Sequence, residues 1–370
     1  MRYDVLIIGG GPVGNYLASL LAGKLDIALV ERKQSFGGKA CTGIIGAESY
    51  ERLDFPKKAV VNSLRGAVFH SSIQSFEIGR KSPQAYVVDR KVLERELAKR
   101  AIKRGAHYFV GTSFMGFKNG KARLQHLKET FEVEARYYVG ADGIPSAVAR
   151  EIGAKSNAEF LKGYELEVIG EFRKDFTEVW VNKEVNPDFF FWVTPVEEDL
   201  ARVGTFGELS SLERFLRIRN LKPTSMVEFK AGSVGFGWRM PWVRNNVALV
   251  GDAALQIKPT TAGGIVFGSI CAHNLARAIL NYNLELYPKS CAEVMKQVSF
   301  GLKVRKIFKG LNQDGIEKIF QILGSDDAIE VIEEYADFDN HLRTFKALAK
   351  KPRLLTRLLM ISPSLIRALI

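Results

Sequence analysis

Cysteine is scarce: Cys41, Cys271 and Cys291 are too few and too scattered for a disulfide framework or a structural zinc site. No uninterrupted apolar run reaches the ~18 residues of a membrane span. Met1 runs directly into what reads as a strand, so no secretory leader is expected. The basic residues show neither aromatic interleaving nor a known binding motif, which argues against nucleic acid. Together these absences predict a cytoplasmic chain in a reducing compartment, with no metal. What is present is an ordinary globular mixture, 46% hydrophobic and 25% charged over 370 residues, enough for two or three units. The formal charge of +12 allows an anionic partner such as a membrane surface or a phosphorylated substrate.

The run Tyr3-Asp4-Val5-Leu6-Ile7-Ile8 is apolar and rich in β-branched residues, and it ends in Gly9-Gly10-Gly11. Such a continuous run predicts a strand buried on both faces, as in a parallel sheet. Pro12 to Ala22 reads as a helix, and Ile27-Ala28-Leu29-Val30 as a second strand ending at Glu31. Strand, Gly9-x-Gly11-x-x-Gly14, helix, strand and acid form the dinucleotide-binding fingerprint in its required context. Gly9 permits the tight turn, Gly11 lets backbone approach a pyrophosphate, and Gly14 lets helix pack on strand. The helix N-terminus offers free N–H groups to phosphate, and Glu31 can accept hydrogen bonds from a ribose.

The fingerprint leaves FAD and NAD open. Two later segments narrow the choice: Tyr137-Tyr138-Val139-Gly140-Ala141-Asp142-Gly143, and Asn246 to Ala254 followed by Lys258-Pro259-Thr260-Thr261-Ala262-Gly263-Gly264-Ile265. In each, an apolar strand delivers an aspartate beside glycine at its carboxyl end, where open α/β sheets place ligands. Gly263-Gly264 opens a further helix, from Ile265 to about Tyr282. In this order the three elements resemble the flavoprotein hydroxylase superfamily. The resemblance implies FAD as cofactor, with its pyrophosphate on the first loop and the Asp142 segment over it. It also implies Asp252 on the ribityl chain and Gly263, Gly264 and Ile265 facing the flavin pyrimidine. A helix N-terminus there suits the negative charge of a reduced flavin. Further cofactor contacts are implied at Val13, Arg32 and Arg90, the last at the start of an amphipathic helix after Val87-Val88-Asp89.

The loop Gly37-Gly38-Lys39-Ala40-Cys41-Thr42-Gly43, the strand Phe189-Phe190-Phe191-Trp192-Val193-Thr194-Pro195 and the segment Gly235 to Trp242 resemble the geranylgeranyl reductase family, flavoenzymes that saturate prenyl chains of lipids. Thr42, Phe190, Thr194 and Val196 depart from the usual family residues. The resemblance implies that Cys41 and Thr42 lie beside the flavin, with Cys41 the candidate catalytic residue, shaping the space above the ring or relaying a proton. It implies a substrate cavity lined by Phe190, Trp192, Trp238 and Pro241. Strand alternation puts Phe190 and Trp192 on one face and Phe189, Phe191 and Val193 on the other, so the aromatics serve either a greasy tunnel or plain core. A tunnel would suit an isoprenoid, each buried CH₂ contributing about 0.8 kcal/mol.

The expected fold class is α/β, α+β overall. A Rossmann-type FAD-binding domain comes from residues 1–60, 86–155 and 245–290. An inserted antiparallel β-sheet substrate domain comes from 61–85 and 156–244, and a helical C-terminal region from 291–370. Residues 341–370 carry seven lysines and arginines and no acid, interleaved with leucine and isoleucine. That pattern fits either a helical lid or peripheral docking on anionic lipid. The expected function is FAD-dependent reduction of geranylgeranyl-type double bonds, the electron donor being NAD(P)H, ferredoxin or another reductant. The alternatives are a flavin monooxygenase or halogenase, since Phe236-x-Trp238-x-Met240-Pro241 resembles the halogenase Trp-x-Trp-x-Ile-Pro pattern, and a flavin-binding lipid carrier.

Overall fold

A computed structural model describes residues 1–38 and 40–361. Lys39 of the cysteine loop and residues 362–370 of the basic tail lie outside the described residues. The first apolar run forms the strand Arg2–Ile8, with Val5, Leu6 and Ile7 wholly buried. Burial on both faces follows from its central place in a parallel sheet: it pairs in parallel with Ile27–Glu31 on one side and Glu129–Gly140 on the other. His107–Val110 and Val247–Leu249 extend the sheet in the same sense, and Val243–Arg244 adds an antiparallel edge. The helices Pro12–Leu21 and Ile265–Leu280 bury Leu17, Leu21, Cys271 and Leu275 in the core around this sheet.

A second sheet runs in the order Met226–Phe236, Glu159–Ile169, Leu200–Phe206, Phe191–Pro195, Phe176–Trp180, Gly66–His70 and Ser75–Gly79. The expected antiparallel sheet is mixed, because Phe176–Trp180 and Gly66–His70 pair in parallel. Parallel pairing needs a long crossover, and the whole helix Arg90–Ile102 with its following strands lies between the two in sequence. Along Phe191–Pro195 the alternation separates two cores. Phe191 and Val193 pack on Phe215 of the helix Leu209–Ile218, while Trp192 turns to the opposite cluster with Phe190, Val234 and Phe236. Phe189 departs from the expected face: it stacks on Phe190 at 4.4 Å between ring centres. It precedes the strand, in a turn where the Asn186 side-chain Oδ1 accepts from the amides of Asp188 and Phe189, so the two-residue period does not reach it.

The chain after Ala292–Gly310 forms short helices, Gln313–Leu323, Asp326–Tyr335, His341–Ala349 and Pro352–Ile361. Leu348, Leu354 and Leu358 are buried together with Ile322, Val331 and Ile332. These leucines close on neighbouring helices, and Met360 remains exposed. Among the described residues no helix is long and apolar enough to cross a membrane.

The turn between the first strand and its helix sets the whole arrangement. Gly9 has φ of +112°, and a Cβ there would strike the Ala141 carbonyl. A Cβ on Gly14 would fall on the Gly9 carbonyl oxygen, so the helix sits as close as backbone allows. We expect Gly14→Ala to cost about 1–3 kcal/mol by overpacking and to lower flavin content. Thermal melting and the flavin absorbance of the purified protein check this; an unchanged melting temperature would contradict it.

Candidate active site

The carboxyl ends of the parallel strands and one face of the second sheet enclose a cavity of about 530 Å³, within the range of cofactor and ligand sites. Gly9, Gly11 and Val13 line one end, with Glu31 and Arg32 beside them. Gly14 does not reach the cavity; it lies behind Gly9 and secures the packing. Gly11 caps the helix Pro12–Leu21 with no side-chain bond, the first turn carries no acid, and a Cβ on Gly11 would meet open space. The first-turn N–H groups are therefore presented to whatever fills the cavity, an arrangement made for phosphate. The Glu31 carboxylate accepts from the Gly10 amide at 2.7 Å and the Lys33 amide at 2.9 Å, which fixes it at the rim.

Asp142, Asp252, Gly263, Gly264 and Ile265 also line the cavity. Asp142 uses its carboxylate locally: it accepts from Ser146 Oγ at 2.7 Å and from the Ala147 amide at 2.6 Å, capping the helix Ala147–Glu151. Burial pushes its acid up, and these donors pull it back. The carboxylate is thus engaged within its own loop. Asp252 stands in the turn Gly251–Ala254, and a Cβ on Gly264 would come within 2.5 Å of its carboxylate. Glycine at 264 is what lets the helix Ile265–Leu280 aim its uncapped N-terminus inward.

Cys41 and Thr42 meet the cavity from the loop ahead of Ile44–Gly46. The second sheet holds that loop. Arg202 donates to the Thr42 and Val88 carbonyls, each at 2.9 Å, and pairs with Glu167 at 3.0 Å. The Cys41 amide donates to Glu165 Oε1 at 3.4 Å. Glu165 is 1% exposed, and its Oε2 has no partner. Burial raises its acid, against the pull of Arg202 and Lys230. Arg90 lines the cavity and donates to Glu94, which also accepts from the Gly37 amide at 2.6 Å. Burial works against the Arg90 cation, but Glu94 outweighs it and keeps the charge firmly in place.

Phe190 and Trp192 form the apolar wall, with Phe206, Val234, Ile144 and Ala262. Trp238 and Pro241, expected in that wall, are not there. Beyond Gly237 the chain leaves the strand, the Trp238 amide bonds to Asn157 at 2.8 Å, and the Trp238 ring packs on the core of the first sheet. Sequence reasoning also missed Lys258 and Asp339, both cavity-lining. Lys258 Nζ donates to Asp339 Oδ1 at 3.0 Å and to the Phe338 carbonyl at 2.7 Å, with both side chains nearly buried. His341 beside them accepts from Thr260 at 2.7 Å, its other ring nitrogen facing the Phe338 carbonyl at 3.0 Å. Burial and the Lys258 charge push His341 down to about 3, so it is neutral. Lys258 stood in a segment read for its glycines, and no local pattern links it to residue 339.

The residues fit a flavin dinucleotide: a glycine cradle at a helix N-terminus, a second glycine-capped helix N-terminus beside Asp252, and an apolar wall. Arg90 Nε, Trp192 Nε1 and Thr261 Oγ1 are buried without partners in residues that line this cavity, which is what a site awaiting a polar ligand leaves behind. Among the described residues no group of three or more His, Cys, Asp or Glu could hold a metal. The class these features define is an FAD-dependent oxidoreductase. Residues 2–208 match the FAD binding domain family. An uncharacterised protein of Methanocaldococcus jannaschii is 32% identical over 358 residues, covering 91% of this chain and 92% of its own. The digeranylgeranylglycerophospholipid reductase of Methanothrix thermoacetophila is 28% identical, covering 88% of this chain and 93% of its own. The crystal structure of a geranylgeranyl bacteriochlorophyll reductase-like protein from Thermoplasma acidophilum shares the fold, with a TM-score of 0.82 at 22% identity over 97% of this chain and 99% of that one. The chain belongs to the FAD binding domain family.

Asp339→Asn leaves Lys258 buried without its counter-charge, and we expect a loss of about 3 kcal/mol. Burial alone would raise the Asp339 acid, but Lys258 holds it below its usual value. Its contribution is therefore full above the unfolded value near ~4 and lost as pH falls through the lower folded value. Melting temperature against pH should show that acid-side fall in the wild type and a shallower one in the variant.

Proposed function

We propose that this enzyme saturates isolated double bonds in the isoprenoid chains of lipids. The observation that carries the reading is the apolar wall of Phe190 and Trp192 in the same cavity as the glycine cradle and the two glycine-capped helix ends. The Methanothrix relative, named as a digeranylgeranylglycerophospholipid reductase, supports it. When bound, reduced FAD supplies the hydride. The cradle of Gly9, Gly11 and Val13 would hold the pyrophosphate, while Gly263 and Gly264 would present N–H groups to the pyrimidine edge. Phe190 and Trp192 orient the alkene and exclude water, so that a chain with no polar handle is positioned by shape alone. An unpolarised alkene needs a proton at one carbon as hydride arrives at the other. Glu165, whose acid burial raises, is the source proposed for that proton; its Oε1 already accepts from the Cys41 amide, and Cys41 lines the cavity. Arg202 keeps the loop in that place.

The test is anaerobic. Photoreduced enzyme mixed with a geranylgeranyl lipid should reoxidise, and each double bond should gain two hydrogens by mass spectrometry. No reoxidation favours a lipid carrier, and oxygen incorporation under air favours a monooxygenase. Glu165→Gln should slow reoxidation on the order of 10²-fold with flavin content unchanged. In the wild type the rate should fall as pH rises through the acid's raised value, and that alkaline fall should vanish in the variant. A retained fall would exclude Glu165.

A further inference from the structure

A second, smaller cavity of about 320 Å³ lies behind the apolar wall. Its floor is built by one face of the helix Ala292–Gly310. Leu302, Arg305, Lys306 and Lys309 recur at the three- and four-residue spacing that places side chains in one stripe. Opposite them stand Glu159 and Phe236, paired in register at the ends of adjacent strands. Leu302 and Phe236 belong to the same apolar cluster as Phe190 and Trp192, so the small cavity backs directly onto the wall of the large one. The helix is also held close to the flavin loop: a Cβ on Gly301 would come within 2.6 Å of Pro259. Arg305 follows one turn later, about 6 Å along the axis.

The charges there are unusual. The Arg305 side chain is 5% exposed. One guanidinium nitrogen donates to the Asp188 carbonyl at 3.2 Å and another to Glu159 at 3.5 Å, while Nε has no partner. Lys309 pairs with Glu159 at 2.6 Å, and Lys183 reaches the Phe308 carbonyl at 3.1 Å. Lys306, Lys309, Lys183 and Arg305 thus face two carboxylates, Glu159 and Asp188, and the cluster keeps an excess of positive charge. Burial and, for Lys183, the neighbouring cations Lys309 and Arg305 work against the charged forms of both Lys183 and Arg305. A fold that gathers like charges against an apolar floor gains when an anion joins them.

We propose that this basic pocket holds the phosphate of a lipid headgroup, the packed cluster of Phe236 and Leu302 parting to let the isoprenoid chain through to Phe190 and Trp192. The inference rests on the lipid reading above and adds to it which end of the substrate binds where. Phosphate suits the donors: the unpartnered Arg305 Nε, the ammonium of exposed Lys306 and that of Lys309, which Glu159 already holds at the pocket, can be shared among its oxygens. A carboxylate is already present in Glu159 and does not discharge the cluster.

The full-length, FAD-loaded enzyme is titrated with geranylgeranyl monophosphate and with geranylgeraniol, which share the chain and differ in the phosphate. The ester should bind at least roughly tenfold more tightly, and added salt should erode the difference. Lys306→Glu/Lys309→Glu should bring the ester down to the alcohol's affinity; Lys306→Glu alone, at an exposed position, should give part of that loss if the double variant folds poorly. Equal binding of ester and alcohol by the wild type, or a difference that survives charge reversal, overturns the headgroup site and leaves the lipid reading standing. Inorganic phosphate that competes as well as the ester would show a free-phosphate site and also overturn it. If neither chain binds, the lipid reading and the headgroup assignment fall together.

Discussion

The close approach of backbone to backbone at the end of the first strand is the constraint on which the site depends. Gly14 rests on the Gly9 carbonyl, and Gly9 in turn lies against Ala141. Two segments distant in sequence are thereby drawn together at the carboxyl end of the parallel sheet, where Gly11 leaves its helix end open. Side chains at these positions would separate strand from helix by an atom's width and close the edge. Everything further out, from the cysteine loop to the aromatic wall, is arranged around an opening that the absence of side chains creates.

What was legible in the sequence was mostly what short-range pattern encodes. The strand, turn and helix from Arg2 to Leu21 follow from an apolar run, three glycines and a proline at the helix start. The glycine pair before Ile265 marked the second helix end in the same way. Trp192 was legible from alternation, because its strand is regular there, and Phe190, just ahead of the strand, falls in the same cluster. Phe189 and Trp238 were not, since each lies just outside a strand, where a turn held by an asparagine sets the direction of the side chain.

Long-range polar pairs were illegible for a different reason. Arg202 and Thr42, Glu165 and Cys41, and Lys258 and Asp339 are each joined across many strands or helices. Their partners are fixed by topology, including the parallel insertion of Gly66–His70 that no local signal announces. A buried charge in the sequence says only that some partner must exist; the fold chooses which one.

The bridge between Lys258 and Asp339 ties the closing helices to the chamber electrically as well as sterically. Its two ends belong to different layers: the lysine to the loop before the inner helix, the aspartate to the turn between two outer ones. A guest that brings negative charge near that ammonium competes with the aspartate for it. Filling of the chamber and firmness of its cover are therefore opposing demands on a single cation, and the charge of the occupant helps decide how tightly the door is held.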